Sequence, residues 1–111
     1  MRLLCRVDDL APGTSRGFGP PPGGFTGLFA VRAADIHVYV NACPHIGVAL
    51  DGTPHDFLTR DKQHIVCATH GALFAIETGL CTQGPCHGDS LEQIAVTIVD
   101  GWILVPDDAG L

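Results

Sequence analysis

The chain has 111 residues, 46% hydrophobic and 16% charged, so it can bury one modest core and is predicted to form a single domain, residues 1–111. Its formal net charge is −6, and every Lys and Arg lies within the first 62 residues, which disfavours nucleic-acid binding because phosphate contacts need cations. No apolar stretch is long enough to span a membrane or to serve as a signal peptide, so the expectation is a cytoplasmic protein that binds no membrane.

The first forty residues predict short strands joined by turns. A strand is expected over residues 3–7. Residues 16–24 are expected to form an exposed loop, because Pro lacks the N–H that a sheet ladder needs and Gly is entropically costly there. The β-rich runs 28–32 and 36–40 predict a hairpin.

The rest of the chain continues this pattern. Short strands are predicted at 64–67 and 72–76, followed by a turn-rich stretch over 81–88. Asp100-Gly101 lies between the β-branched runs 94–99 and 102–105, which favours a hairpin with a type I′ turn. No helix of any length is predicted, and the 14 Gly and 8 Pro agree with an all-β class rich in turns.

Two short boxes carry the candidate chemistry, Cys43-Pro44-His45 and Cys67-Ala68-Thr69-His70-Gly71. Together they offer two thiolates and two imidazoles, which suits a tetrahedral zinc or a two-iron cluster bound by Cys at one iron and His at the other. The C-x-H spacing is unlike the C-x₂₋₄-C pairs of zinc ribbons. Each box follows a predicted strand, so the pair favours the cluster.

The arrangement C-x-H followed by C-x-x-H-G resembles the Rieske iron–sulfur family, and the likeness extends from about Leu3 to Val105. The resemblance implies a small antiparallel Rieske-like β-sandwich or barrel with a cluster-binding subdomain of loops at one tip. It implies one [2Fe-2S] cluster per chain, with Cys43 and Cys67 on one iron and His45 and His70 on the other. The 21 residues between His45 and Cys67 exceed the usual family length, which affects the expected shape of loop 46–66 and not the ligands.

The same resemblance indicates a low-potential member of the family. Respiratory relatives brace their two cluster loops with a disulfide at positions that are Val48 and Thr69 here, so that brace cannot form. High-potential relatives also place a Ser and a Tyr, which donate hydrogen bonds to sulfur, where this chain has Ala72 and Phe74.

The remaining Cys and His residues have more ordinary interpretations. Cys5 is expected to be a buried small hydrophobe, and His37, His55 and His64 are expected at the surface or satisfied. Cys81 and Cys86 allow a disulfide, a second metal pair with His87, or two free thiols beneath the cluster loops. A reducing compartment favours the free thiols.

The resemblance implies an electron carrier and not an enzyme. In this hypothesis the protein takes one electron from a flavin-dependent reductase and passes it to a terminal ring-hydroxylating oxygenase. Both partners would dock transiently over the cluster tip, near Ile46, with His45 and His70 at the solvent edge. The alternatives are a small Rieske subunit of a larger reductase such as nitrite reductase, or a redox sensor.

Overall fold

Short antiparallel strands make up almost all the regular structure of the computed structural model, which describes residues 1–44 and 47–111. The strands are β1 (Arg2–Arg6), β2 (Ser15–Phe18), β3 (Leu28–Arg32), β4 (Ile36–Val40), β5 (His64–Val66), β6 (Leu73–Ala75), β7 (Cys81–Gln83), β8 (Gln93–Ile94), β9 (Thr97–Val99) and β10 (Trp102–Val105). The predicted all-β class is confirmed. Among the described residues, the only departure from the prediction of no helix is one 3-10 turn, Val7–Asp9, where the Asp9 carboxylate accepts the Arg6 amide at 3.0 Å.

The strands form three antiparallel sheets, in the orders β1-β10-β9, β2-β3-β4-β8 and β5-β6-β7. The predicted hairpin of residues 28–32 and 36–40 is present as β3 and β4. The first box follows β4, and the second box joins β5 to β6. The three-stranded sheet β5-β6-β7 therefore supplies the framework for the second cluster loop, whereas the first loop follows a strand of the four-stranded sheet.

Two hydrophobic cores hold the sheets together. One packs Leu28, Ala30 and Val38 against the chain end near Val105. The other surrounds the two boxes and contains four of the five cysteines, together with a group of buried aromatic side chains. Cys5 lies apart from them, buried on β1 opposite Ile103, as expected for a small hydrophobe.

The loop prediction for residues 16–24 was wrong at its start, because residues 15–18 form β2. Gly17 is in the strand, paired with Phe29, and a Cβ at that position would lie 3.2 Å from the Phe57 ring. The Gly17 amide also donates to Nδ1 of His55 at 3.0 Å. These partners come from distant segments, so the local Gly-Pro composition gives no sign of them.

Two further predictions need correction. The run 94–99 is divided, since Ile94 pairs with β4 in one sheet while Thr97–Val99 pairs with β10 in another. The stretch 81–88 begins as strand β7, paired with β6, before it turns.

The turn at Asp100 and Gly101 is as predicted, with both residues at positive φ (+51° and +80°). No helix among the residues described is long and apolar enough to cross a membrane.

Candidate metal centre

The two boxes lie in loops that share one pattern of backbone hydrogen bonds. In each loop the cysteine amide donates to the carbonyl five residues later, and the amide of a glycine four residues later donates back to the cysteine carbonyl. The bonds run from Cys43 to Val48 (2.8 Å) and from Gly47 to Cys43 (2.7 Å) in the first loop, and from Cys67 to Ala72 (2.9 Å) and from Gly71 to Cys67 (2.9 Å) in the second. The sequence thus builds the same turn twice, each time starting from a cysteine.

The glycine that closes each turn adopts a left-handed backbone. Gly47 has φ +75° and Gly71 has φ +70°, a region that other residues enter only with strain. A Cβ at either position would meet no described protein atom within 4 Å. No described side chain therefore fills the space beside either glycine.

The sulfur and imidazole ligand candidates differ in exposure. Cys43 and Cys67 are 2% and 0% exposed and belong to the same core, whereas His70 is exposed. His45, the fourth predicted ligand, lies outside the described residues. Softer thiolates on the buried side and an imidazole on the solvent side agree with a cluster that divides its ligands between two irons.

A bracing network that sequence reasoning missed holds the two loops side by side. The side-chain oxygen of Asn41 accepts a hydrogen bond from the Leu50 amide at 2.8 Å. The side-chain nitrogen of Asn41 donates a hydrogen bond to the Asp51 carboxylate at 3.2 Å. The Leu50 carbonyl in turn accepts the Ala68 amide, inside the second box, at 2.9 Å. The only sequence signal is a side chain able to both donate and accept, placed directly after β4.

The long connection between the boxes is anchored at its far end. The Phe57 ring stacks on Phe29 with centroids 4.3 Å apart, and the Ser15 hydroxyl accepts the Phe57 amide while donating to the His55 carbonyl. His55 is exposed, as expected. This end of the 46–66 connection is thus hydrogen-bonded to the start of β2.

The residue types of the two boxes fit the ligand set of a two-iron cluster. Within residues 1–44 and 47–111, no three His, Cys, Asp or Glu side chains are grouped to hold one metal ion. A cluster with two Cys on one iron and two His on the other never places three of these ligands on one iron. The buried thiols and the exposed imidazole suit such a group.

The family comparison agrees with this geometry. The chain matches the family model described as the Rieske [2Fe-2S] domain over residues 2–99. The chain belongs to the Rieske [2Fe-2S] family. No curated protein matches it.

Solved structures with this Rieske fold include two ferredoxins similar in length. The ferredoxin of carbazole 1,9a-dioxygenase from Nocardioides aromaticivorans IC177 is 26% identical, with a TM-score of 0.71 over 95% of this chain and 94% of its own. The Sphingomonas yanoikuyae B1 ferredoxin is 25% identical, with a TM-score of 0.70 over 94% of this chain and 95% of its own. The family and these neighbours imply one Rieske [2Fe-2S] cluster, which confirms the predicted cofactor.

A larger protein shares the fold alone. The terminal oxygenase of carbazole 1,9a-dioxygenase from Novosphingobium sp. KA1 is 17% identical, with a TM-score of 0.76. The match covers 94% of this chain but 28% of the oxygenase chain. The same Rieske fold is thus found both in small ferredoxins and as part of a much longer chain.

The positions that distinguish high-potential Rieske proteins are occupied as the sequence indicated. Val48 and Thr69 are both exposed, and neither is a cysteine, so no disulfide can link the loops there. Ala72 and Phe74 are buried in the core beside the boxes. Neither side chain has a hydroxyl to donate to sulfur.

A third segment of this Rieske domain packs against the second box. A Cβ on Gly84 would lie 2.9 Å from Cα of Ala72, so the two backbones are in close contact. Cys81 and Cys86 flank that contact, buried and not bonded to each other, with their sulfurs 3.0 Å apart. Burial raises the pKa of Cys86 to about 12, helped by the hydrogen bond to Cys81 and by negative charge on Cys81 and Cys43.

Proposed function

We propose that this Rieske domain is an electron carrier, which passes single electrons from a flavin-dependent reductase to a terminal ring-hydroxylating oxygenase. Its cluster ligands in this proposal are Cys43, His45, Cys67 and His70, within one domain of residues 1–111. The observation that carries the proposal is the repeated turn, in which each loop begins at a buried cysteine that has a histidine two or three residues later. Bound in this way, the cluster supplies one-electron transfer and no bond chemistry.

The different exposure of the proposed ligands supports a route by which electrons would enter and leave the cluster. Cys43 and Cys67 would hold their iron from the buried side of the site, since both belong to the core. His70 is exposed, so the iron bound by imidazole is the one that a docked protein would approach. Neutral imidazoles also reduce the negative charge of the cluster, which raises its potential above that of an all-cysteine cluster.

The surface around the boxes suits brief contact with a protein. Residues 47–49, 68–71 and 84–85 are all exposed, and none of them is Asp, Glu, Lys or Arg. Transient redox interfaces bury little area, so a surface of limited extent is enough for such a contact. We therefore propose that partners dock over this surface, which we call the box rim.

The similar ferredoxins support the choice of partner. The Nocardioides protein is named as the ferredoxin of a dioxygenase, and the likeness covers nearly all of both chains. The expected partners are accordingly a reductase that delivers electrons and an oxygenase that consumes them. A protein that instead purified as a stable subunit of a larger reductase would contradict a shuttle role.

The proposed docking surface is tested by adding charge at Val48. Ile46, which the sequence suggested for this test, lies outside the described residues. Val48 is 38% exposed on the box rim, and its matched control is Val99, 50% exposed on β9 in a different sheet. Electron transfer is followed by stopped-flow with a flavin-dependent ferredoxin reductase and a carbazole dioxygenase oxygenase component.

We expect Val48→Lys to slow transfer several-fold while the visible spectrum of the cluster stays unchanged. Val99→Lys should transfer electrons at the wild-type rate. Equal rates for wild type and both variants would rule out docking over the box rim. Wild-type protein whose cluster is neither reduced by a reductase nor reoxidised by an oxygenase would contradict the carrier role itself.

A further inference from the structure

Cys81 and Cys86 form a buried dithiol that the cluster ligation leaves unused. Their side chains are 1% and 2% exposed, and the Cys86 thiol donates to the Cys81 sulfur at 3.0 Å. Both residues lie outside the four proposed ligands. Two thiols held in contact can be oxidised to a disulfide.

Backbone hydrogen bonds around the pair hold the two sulfurs close together. Cys81 pairs with the far side of its loop, since its amide donates to the Asp89 carbonyl at 2.8 Å and its carbonyl accepts the Gly88 amide at 3.2 Å. The Asp89 amide also donates to the Cys86 carbonyl at 2.8 Å. These bonds close the loop and bring Cys86 next to Cys81. To form a disulfide, the two sulfurs need to approach each other by only about 1 Å, to a bond length of about 2.05 Å.

We propose that Cys81 and Cys86 are a redox site, which a small-molecule disulfide converts to an intramolecular disulfide. One cysteine sulfur attacks the small disulfide, forming a mixed disulfide and releasing one small thiol. The second cysteine then attacks the protein sulfur of that mixed disulfide and releases the other small thiol. The two protein thiols give up two electrons and two protons, and the small disulfide takes them up as two thiols.

The fold determines which cysteine reacts first. Cys86 is the one buried residue between Gly84 and Ser90, where all its neighbours are exposed, whereas Cys81 lies in strand β7. Local opening of that loop exposes Cys86 while β7 stays paired, because exposed turns open at lower free energy than core strands. Opening of the loop also removes the burial that raises the pKa of Cys86, so Cys86 is the attacking residue, and Cys81 is the residue that resolves the mixed disulfide.

The disulfide would clamp the segment that supports the second box. Gly84 lies between the two cysteines and packs on Ala72, two residues beyond His70. A bond between the sulfurs fixes this segment to β7 and so restricts the opening of the cluster loops. This consequence rests on the proposed ligands, whereas the thiol chemistry does not.

The test is a thiol assay on the protein with its cluster bound. Holoprotein is incubated without oxygen with oxidised glutathione, alkylated, and cleaved after Glu77 and Glu92. The resulting peptide 78–92 contains Cys81 and Cys86 and no other cysteine. We expect the peptide to carry no alkyl group and to have the mass of its dithiol form less two hydrogens. The visible absorption of the cluster should be retained, and iron release to a chelator should become several-fold slower.

Single variants test the order of attack. Cys81→Ser should trap a glutathione adduct on Cys86, and Cys86→Ser should give little or no adduct. Cys5→Ser, which removes the buried thiol of a different sheet, should behave as wild type.

The proposal is overturned if both thiols of peptide 78–92 remain alkylated, or if the disulfide appears only as the absorption is lost. It is also overturned if Cys86→Ser forms the adduct and Cys81→Ser does not. Failure of the proposed function gives a different result, since the protein would then still form the disulfide while its cluster is neither reduced by a reductase nor reoxidised by an oxygenase.

Discussion

Gly47 and Gly71 occupy the same position in the two halves of the site, each donating its amide to the carbonyl of the cysteine four residues earlier. Their φ angles differ by only a few degrees, at +75° and +70°. Such a turn needs a left-handed residue at this position, and glycine enters that region without steric cost. The two ligand loops are therefore built by one local rule applied twice.

Replacing Gly71 by Ala should loosen the cluster. A Cβ in the left-handed region costs about 1–2 kcal/mol, and the strain falls on the turn that positions Cys67 and His70. The matched control is Gly13→Ala, since Gly13 has φ +78° and equally open surroundings but lies far from the boxes in sequence. Both variants should lose similar stability in urea unfolding, but only Gly71→Ala should release iron faster to a chelator. Equal iron release would contradict this role for the turn.

Asn41→Ala should also weaken iron binding, because it removes the brace between the loops. The substitution leaves the Leu50 amide without its acceptor, at a cost of about 1–3 kcal/mol for a buried group. Ser15→Ala is the control, because Ser15 makes a similar side-chain bridge at the far end of the 46–66 connection. We expect both to lower the urea midpoint and only Asn41→Ala to lower the iron content. The brace is not involved if Ser15→Ala loses as much iron.

Tyr39 should make the fold sensitive to alkali. Its hydroxyl donates to the Ile76 carbonyl in the core, and burial, with the charge of Glu77, raises the pKa of Tyr39 from 10.0 to about 12. A pKa raised by folding means that the contribution to stability is complete below pH 10 and is lost as pH rises toward 12. The difference in unfolding free energy between wild type and Tyr39→Phe should therefore be constant below pH 10 and shrink above it. A difference that does not depend on pH would contradict the assignment.

The reduction potential should lie near the lower end of the Rieske range, at about −150 mV and far from about +300 mV. Hydrogen bonds to sulfur stabilise the more negative reduced cluster, and neither Ala72 nor Phe74 can donate one. Ala72→Ser and Phe74→Tyr should each raise the potential measured by redox titration. The control is Phe57→Tyr, which adds a hydroxyl at an equally buried core position on the 46–66 connection. A wild-type potential above about +100 mV would refute the low-potential assignment.

The sequence predicted the elements whose signals are local. Asp100-Gly101 between β-branched runs was enough to predict the final turn, and the hairpin of 28–32 and 36–40 was clear from composition. The two boxes also carried the resemblance to the Rieske family, which implied its cofactor, because the residues within each box are close in sequence. These features depend on neighbouring residues alone.

Features that depend on distant partners could not be predicted. Gly17 is in a strand because Phe29 pairs with it and the Phe57 ring packs on it, and neither residue is near Gly17 in the sequence. The run 94–99 is divided between two sheets because Ile94 finds β4 while its neighbours find β10. The contact between Cys81 and Cys86 likewise needs the backbone bonds to Asp89, which the cysteine spacing does not reveal.

The central claim is that Cys43 and Cys67 bind one iron while His45 and His70 bind the other. Pulsed paramagnetic resonance on reduced protein labelled with ¹⁵N-histidine tests it most directly, because it counts the histidine nitrogens coupled to the cluster. We expect two histidine nitrogens coupled to the cluster in the wild type and one in each of His45→Cys and His70→Cys. The added thiolate should also lower the reduction potential of both variants. A wild-type cluster with no coupled histidine, or two couplings that persist in either variant, would contradict it.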